Sequence, residues 1–160
     1  MKEVRTGIGV DIHAFSKGSS VRIGGASIAC GFQLEGHSDG DVLIHAVIDS
    51  ILGASGLGDI GLHFPSSNDE YKGIDSSVLL ERTLKMSRDE GWRPVYFDAT
   101  IVAQTPNMAS HILKMKENIS AVIQIEKDRV NIKSTTTDHL GFIGREEGIA
   151  CIVVVTMENL

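Results

Sequence analysis

The chain has 160 residues, of which 42% are hydrophobic and 22% charged, a balance typical of a globular domain that buries its own core. Its formal net charge of −6 argues against a general nucleic-acid-binding protein, because such proteins need a basic face. An acidic chain can still hold phosphate through metal ions and backbone N–H groups. The longest apolar run, residues 149–155, is far shorter than the roughly 20 residues that span a bilayer, so no membrane association is expected.

Two cysteines, Cys30 and Cys151, lie far apart and form no Cys-x-x-Cys motif. We expect reduced thiols in a cytoplasmic protein, and the sequence alone leaves a single disulfide open. The first residues contain no apolar stretch of the kind that a secretory signal needs. No repeat or linker-like segment interrupts the sequence, so residues 1–160 are expected to form one domain.

The first part of the chain predicts a strand that contains two glycines. Residues 4–10 have a strand composition, and Gly7 and Gly9 inside it indicate that another backbone or a ligand approaches closely. Hydrophobic periodicity and turn residues then predict a hairpin, a helix and a loop, over residues 21–28, 41–55 and 56–73.

The second part predicts two further helices. Residues 75–90 form one, capped by Asp75 or one of the two serines that follow it, and Gly91 lies just beyond its end. Thr105 as N-cap and Pro106 in the first turn predict the start of the other helix.

Three strands complete the prediction, over residues 93–104, 130–136 and 147–157. The order strand, helix, strand across the first two predicts a crossover connection and therefore a parallel pair. We expect an α+β fold in which a mixed β-sheet has its helices packed on one face, as in βαβ sandwiches related to the ferredoxin-like fold.

One carboxylate and two imidazoles form a candidate metal site. If the first strand continues through Asp11 and His13, their side chains face the same side; the alternative is a surface carboxylate beside a hydrogen-bonded histidine. His45 lies among apolar helix residues and is either a hydrogen-bonded core histidine or a third ligand. Three protein ligands leave a tetrahedral zinc ion one open position, as in catalytic sites. Asp41 and Asp49, four residues either side of His45, are candidates to accept its second ring N–H, and Asp41 suits the helix start, where a carboxylate complements the helix dipole, at least as well.

A run of hydroxyl groups follows the strand predicted over residues 130–136. Thr135, Thr136 and Thr137 precede Asp138, and β-propensity with a turn explains this run as well as function does. Hydroxyls and backbone N–H groups at a strand end also suit a diphosphate, and a neighbouring carboxylate suits Mg²⁺. The chain contains neither a P-loop motif nor a dinucleotide-binding glycine fingerprint.

Five motifs in order resemble the 2-C-methyl-D-erythritol 2,4-cyclodiphosphate synthase family over essentially the whole chain. They are GIGVDIH at 7–13, GHSDGD at 36–41 with His45, LGDIG at 57–61 with HFP at 63–65, TTT at 135–137, and LGF through GREEGIAC at 140–151. The resemblance implies a homotrimer with active sites at subunit interfaces. It also implies a reaction of the non-mevalonate isoprenoid pathway, in which 4-diphosphocytidyl-2-C-methyl-D-erythritol 2-phosphate cyclises and releases CMP.

The resemblance further implies roles for single residues. The carboxylate and two imidazoles match the family's zinc ligands, and Asp138 matches a ligand for Mg²⁺ or Mn²⁺. His37 and Thr136 match positions that stabilise the transition state. The implied substrate contacts are Asp11, Ile12, His13, His37, Ser38, Asp59, Ile60, Gly61, Phe64, Pro65, Ser66, Ser67, Asn68, Ala103, Gln104, Thr105, Pro106, Asn107, Met108, Ala109, Thr135, Thr136, Thr137, Asp138, Phe142 and Arg145.

Those contacts divide into subsites. Residues 103–109 resemble the cytidine pocket, at what we expect to be a strand end meeting a helix N-terminus. Asp59, Gly61 and residues 64–68 resemble the part that holds the erythritol. Phe142 and Arg145 match residues near the trimer axis, where some members are thought to hold an isoprenoid diphosphate.

The chain departs from the family's usual pattern at three of these positions. Asp138 stands where glutamate is usual, which shortens a metal ligand by one methylene group. Ser66 replaces an aspartate and Asn107 replaces a lysine, so one contact to the erythritol and one charge contact to the nucleotide are in question.

Two other functions stay open from the sequence. A different zinc-dependent phosphoester enzyme, such as a nucleotide hydrolase, would use the same three ligands to activate water. A non-catalytic trimer would bind a nucleotide or an isoprenoid diphosphate without turning it over.

Overall fold

The computed structural model describes residues 2–160, which form a five-stranded mixed sheet, a two-stranded hairpin and five α-helices. The strands are β1 (Val4–Lys17), β2 (Ser20–Ile23), β3 (Ala26–Ala29), β4 (Phe32–Leu34), β5 (Trp92–Val102), β6 (Val130–Thr135) and β7 (Gly148–Asn159). The α-helices are α1 (Val42–Ser55), α2 (Ile60–His63), α3 (Ser76–Asp89), α4 (Ile112–Ile123) and α5 (Gly141–Gly144). Short 3₁₀ turns lie at Asp69–Tyr71, Ala109–His111 and Lys127–Arg129.

The large sheet has the strand order β4-β1-β7-β5-β6. β5 and β6 are parallel and the other pairs are antiparallel, which confirms the predicted crossover and the mixed α+β sheet. The strand register aligns Asp11, Cys151, Ile101 and Ser134 in one row across four strands. The residues that follow β6 therefore lie at the same end of the sheet as Asp11.

The long helices pack on one face of the sheet, as predicted. α1 lies against β1 and β7, α3 covers α1, and α4 packs beside β6. Along β1 the side chains alternate: Gly7 and Gly9 face α1, as do Asp11 and His13 further along the strand, and the residues between them face away. A Cβ on Gly9 would lie 1.9 Å from the carbonyl oxygen of Ala46, so the close backbone approach indicated by these glycines is confirmed.

The opposite face of the sheet carries exposed apolar side chains. On β1 and β7 they are between 37% and 63% exposed, although they stand on the central strands of the sheet; they are Ile8, Val10, Ile12, Ile152 and Val154. We call this set the apolar sheet face. None of the helices in residues 2–160 has the length and apolar character that crossing a membrane requires.

Several local predictions are confirmed. The hairpin and α1 lie where expected, Asp75 caps α3, and Gly91 has the left-handed φ of 82° that suits a residue beyond a helix end. Cys30 and Cys151 are free thiols, which removes the disulfide alternative.

Other predictions were wrong in extent or position. β1 runs past residue 10 to Lys17, and the predicted loop over 56–73 contains α2 and a 3₁₀ turn. The helix predicted from Pro106 begins only at Ile112. Asn107 accepts the backbone N–H of Ala109 at 2.9 Å and Met108 is buried, so the chain makes an anchored turn before the helix starts.

Candidate metal centre and active site

The three candidate ligands converge on one point between β1 and α1. Asp11 Oδ2 lies 2.6 Å from His13 Nε2 and 3.1 Å from His45 Nδ1, and the two ring nitrogens are 3.2 Å apart. Ligand atoms on a tetrahedral zinc ion, each at about 2.0–2.2 Å, stand roughly 3.3 Å from one another. The residues therefore fit a single small cation with little adjustment.

The backbone fixes the orientation of the His13 ring. Its Nδ1 contacts the carbonyl oxygen of Glu35, which can only accept, so Nδ1 carries the hydrogen. When a cation replaces the hydrogen on Nε2, the lone pair of that nitrogen is directed at the point shared with Asp11 and His45, which is the form a metal ligand needs.

His45 uses its two ring nitrogens in different directions. Nδ1 faces Asp11 and His13, and Nε2 lies 2.8 Å from Ser38 Oγ and 2.9 Å from Ser76 Oγ. The Ser76 hydroxyl in turn donates to Asp39 Oδ1. The second ring nitrogen thus faces α3 and the 36–41 loop.

The prediction that Asp41 or Asp49 accepts the His45 N–H was wrong, and the other interpretation of Asp41, a place at the helix start, is confirmed. Asp41 is fully buried as the N-cap of α1 and accepts from Ile44, Gly24 and Gly25. Asp49 accepts the backbone N–H of Ile60 at 3.1 Å. Backbone N–H groups donate to both carboxylates. A spacing of four residues along the helix therefore does not place either carboxylate against the His45 ring.

Charge at the centre favours the ligating form of the carboxylate. Burial would raise the pKa of Asp11, but the hydrogen bonds from His13 and His45 outweigh burial and hold this pKa well below its usual range. Burial would lower the pKa of His13, and the hydrogen bond to Asp11 raises it above its ordinary value. A proton and a cation therefore compete for the same side chains.

The expected erythritol subsite forms a loop beside His37. His37 Nε2 donates to the carbonyl oxygen of Asn68 at 3.2 Å, which ties the 36–41 loop to residues 64–68. Asp59 caps α2 by accepting the N–H of Leu62 at 2.9 Å. The Phe64 ring packs edge-on against Tyr71 with 5.5 Å between centroids.

A second group of expected site residues forms where β5 and β6 end. The N–H of Ala103 donates to the carbonyl oxygen of Thr135, and Gln104 accepts the N–H of His139. This brings the expected cytidine segment, residues 103–109, next to the threonine run. The expectation of a helix N-terminus in that segment was wrong, because α4 begins later.

The chain turns sharply around the expected second metal ligand. Asp138 and His139 both adopt left-handed backbone angles, with φ of 51° and 64°. The hydroxyl of Thr136 lies 3.3 Å from Asp138 Oδ1 and accepts the Asp138 N–H at 3.2 Å. Phe142 stands on α5 and is 41% exposed, and Arg145 pairs with Glu147 at 2.7 Å.

The two groups of site residues are separate in one chain. Asp11 and Ser134 are three strand spacings apart in the common row, about 14 Å at roughly 4.8 Å per spacing. Within residues 2–160 no hydrogen bond joins the metal centre to the threonine run. Both groups nevertheless lie at the same end of the sheet.

Sequence reasoning missed three groups that contact the histidine rings or their partners. They are the Glu35 carbonyl, the Asp39 carboxylate and the Ser76 hydroxyl. Asp39 lies in the GHSDGD motif, which could have identified it as a site residue, but no role was predicted for it. Ser76 was considered only as a helix cap.

Comparisons with known proteins agree over nearly the whole chain. The YgbB family model matches residues 4–158. A protein of Pseudomonas savastanoi pv. phaseolicola, named 2-C-methyl-D-erythritol 2,4-cyclodiphosphate synthase, is 52% identical over 154 residues, which cover 96% of this chain and 98% of that protein.

Solved structures share the fold. The bifunctional IspDF of Campylobacter jejuni matches with a TM-score of 0.96 and 37% identity; the match covers 100% of this chain and 43% of that longer protein. IspF of Plasmodium falciparum, in a CDP complex, matches with a TM-score of 0.85 and 29% identity over 98% of this chain and 96% of that one. By the extent of these matches, the chain belongs to the YgbB family.

Proposed function

We propose that this protein cyclises 4-diphosphocytidyl-2-C-methyl-D-erythritol 2-phosphate to 2-C-methyl-D-erythritol 2,4-cyclodiphosphate and releases CMP, in the non-mevalonate isoprenoid pathway. The observation that carries the proposal is the convergence of Asp11, His13 and His45 at the sheet end that also holds the threonine run. Membership of the YgbB family supports it, because relatives that share half of the residues bear the name of this synthase.

The reaction makes one phosphorus–oxygen bond and breaks another. An oxygen of the 2-phosphate bonds to the β-phosphorus, and the bond from that phosphorus to the oxygen bridging it to the α-phosphate breaks. CMP leaves with that oxygen and the electron pair. The attacking phosphate is already an anion, so the site needs placement and charge neutralisation more than a strong base.

The side chains suit those two needs. When bound by Asp11, His13 and His45, zinc would supply Lewis-acid polarisation of a phosphate oxygen. Asp138 is the candidate ligand for Mg²⁺ or Mn²⁺, hard cations that prefer oxygen. The half-buried His37 and the exposed Thr136 are the candidate hydrogen-bond donors to the developing charge.

Substrate binding would draw on both groups of site residues. Residues 103–109 and 135–138 are proposed to hold the cytidine diphosphate, with Ser38, residues 59–61 and residues 64–68 holding the erythritol phosphate. The contacts between Ala103 and Thr135 and between Gln104 and His139 support a shared nucleotide pocket, since they hold the two segments side by side.

A homotrimer with interfacial sites is part of the proposal. The apolar sheet face, on the central strands, would be covered by neighbouring copies, since burying such area is favourable. A separation of about 14 Å between the two groups within one chain also favours a site completed by a second copy. We place the enzyme in the cytoplasm, where Cys30 and Cys151 would stay reduced.

Product analysis by ³¹P NMR tests the activity. Purified protein, zinc and Mg²⁺ are incubated with the cytidyl diphosphate substrate, and the phosphorus signals are followed. Cyclic diphosphate and CMP in equal amounts are expected. Open-chain diphosphate would instead identify a hydrolase, and binding without turnover would identify a non-catalytic nucleotide-binding protein.

A further inference from the structure

We infer that Ser76 and Asp39 are positioning residues that fix which nitrogen of His45 faces the metal centre, and that this leaves the hydroxyl of Ser38 free to donate to a bound anion. The inference rests on the proposed metal centre of Asp11, His13 and His45. It assigns separate roles to the two serines that contact the same ring nitrogen.

The direction of the hydrogen bonds follows from the acceptor at their end. Ser76 Oγ contacts both Asp39 Oδ1 and His45 Nε2. A carboxylate only accepts, so the Ser76 hydrogen points to Asp39 and a lone pair faces the ring. His45 Nε2 must then carry the hydrogen. In a neutral imidazole this leaves Nδ1 with the lone pair, and Nδ1 is the atom that faces Asp11 and His13.

Asp39 is held so that it can act only as an acceptor. Its Oδ2 accepts the backbone N–H of Ser76 at 3.0 Å and lies 3.2 Å from Arg22 Nε, and its Oδ1 accepts the N–H of Asp41 at 3.1 Å. Arg22 also pairs with Asp75 at 2.6 Å, the residue that caps α3. Within residues 2–160 each group that contacts these two oxygens is a donor, so the carboxylate can only accept the hydrogen of Ser76.

Ser38 is in a different position. Its Oγ lies 2.8 Å from His45 Nε2 and so shares the ring N–H as an acceptor. Within residues 2–160 its own hydrogen has no assigned acceptor. The side chain also lines a cavity of about 440 Å³ with Arg22, Gly36 and Asp39. A phosphate oxygen entering the site would be a suitable acceptor for that hydrogen.

Zinc affinity, measured by competition with a chromophoric chelator, separates these roles. Ser76→Ala should weaken zinc binding about 10- to 100-fold, the usual effect of losing a partner of a ligating histidine. Ser87→Ala is the matched control, because Ser87 is a fully buried serine of the same helix that bonds to Ser55 and Trp92. It should bind zinc as the unaltered protein does. Ser38→Ala should change zinc affinity by less than Ser76→Ala and raise the KM.

The tautomer of His45 gives a second readout that needs no variant. In the zinc-bound protein labelled with ¹⁵N-histidine, NMR should find the His45 hydrogen on Nε2 and the metal on Nδ1. Protonation at Nδ1 alone, or a folded Ser76→Ala protein that binds zinc as tightly as the control, would overturn the inference and leave the proposed function standing. Failure of the unaltered protein to bind zinc would overturn the metal centre and the inference together.

Discussion

Gly9 sets the distance between the strand that carries Asp11 and the helix that carries His45. A Cβ at this position would lie 1.9 Å from the carbonyl oxygen of Ala46 and 2.7 Å from the backbone nitrogen of Ser50. Comfortable non-bonded contacts begin at about 3.5 Å, so Gly9→Ala would force α1 away from β1 by roughly 1.5 Å. Backbone atoms form the obstacle, and no side-chain rotation can relieve it.

The displaced turn of α1 is the one that holds His45. The three ligand atoms lie between 2.6 and 3.2 Å apart, and a metal site tolerates distance errors of about 0.2 Å. A shift of more than 1 Å at Ala46 should therefore weaken zinc binding by at least about 100-fold. The same overpacking should lower the free energy of unfolding by roughly 1–3 kcal/mol.

Chelator competition and urea unfolding of the metal-free protein measure the two effects of Gly9→Ala. Gly53→Ala is the matched control on the helix side of the same contact, since its Cβ would meet nothing nearer than the Ile8 carbonyl oxygen at 3.9 Å. It should keep the zinc affinity and raise the unfolding free energy by about 0.5–1 kcal/mol through helix propensity. A folded Gly9→Ala protein with unaltered zinc affinity would refute the reasoning.

Four further changes test other parts of the account. Asp11→Ala should abolish CMP release while circular dichroism reports a folded protein; loss of folding would make the metal structural. Asp41→Asn should lower the free energy of unfolding in urea by roughly 1–3 kcal/mol, because an amide cannot accept the backbone N–H groups on both of its sides; an unchanged urea midpoint would contradict this. Asp138→Ala should remove the response of the rate to Mg²⁺ or Mn²⁺ after chelation without changing the zinc content, and a persisting response would reject Asp138 as the ligand. Val154→Asp, on the apolar sheet face, should convert a species of three 17.2 kDa chains into monomers in light scattering; a monomeric unaltered protein would exclude the trimer.

Periodicity made much of the metal centre predictable. Two residues of separation place Asp11 and His13 on one side of a strand, and the helical pattern around His45 places that residue on a buried helix. Gly7 and Gly9 added the information that something approaches the strand closely. Together these signals located the two elements that form the centre.

The partners of His45 could not be predicted in the same way. Ser76 lies 31 residues from His45 in the sequence, and its contact depends on how α3 packs on α1. A spacing of four suggested Asp41 and Asp49, but backbone donors from the hairpin and from α2 take up both carboxylates. Tertiary packing determines which side chains contact His45, and the spacing of residues along one helix gives no information about that packing.

The start of α4 was misplaced for a related reason. Thr105 and Pro106 have the residue types of a helix N-terminus, and local preference alone favours that start. In the structure Met108 is buried and Asn107 holds a turn, so the helix begins six residues after Pro106, at Ile112. The segment expected to bind cytidine, residues 103–109, is therefore a loop anchored at both ends.

Crystals of the protein grown with zinc and CDP, measured by anomalous diffraction at the zinc edge, test the central claim most directly. The account predicts one anomalous peak per chain, bonded to Asp11 Oδ2, His13 Nε2 and His45 Nδ1, with a CDP phosphate oxygen near the remaining position. A zinc peak elsewhere, or these three side chains turned away from one another, would contradict it.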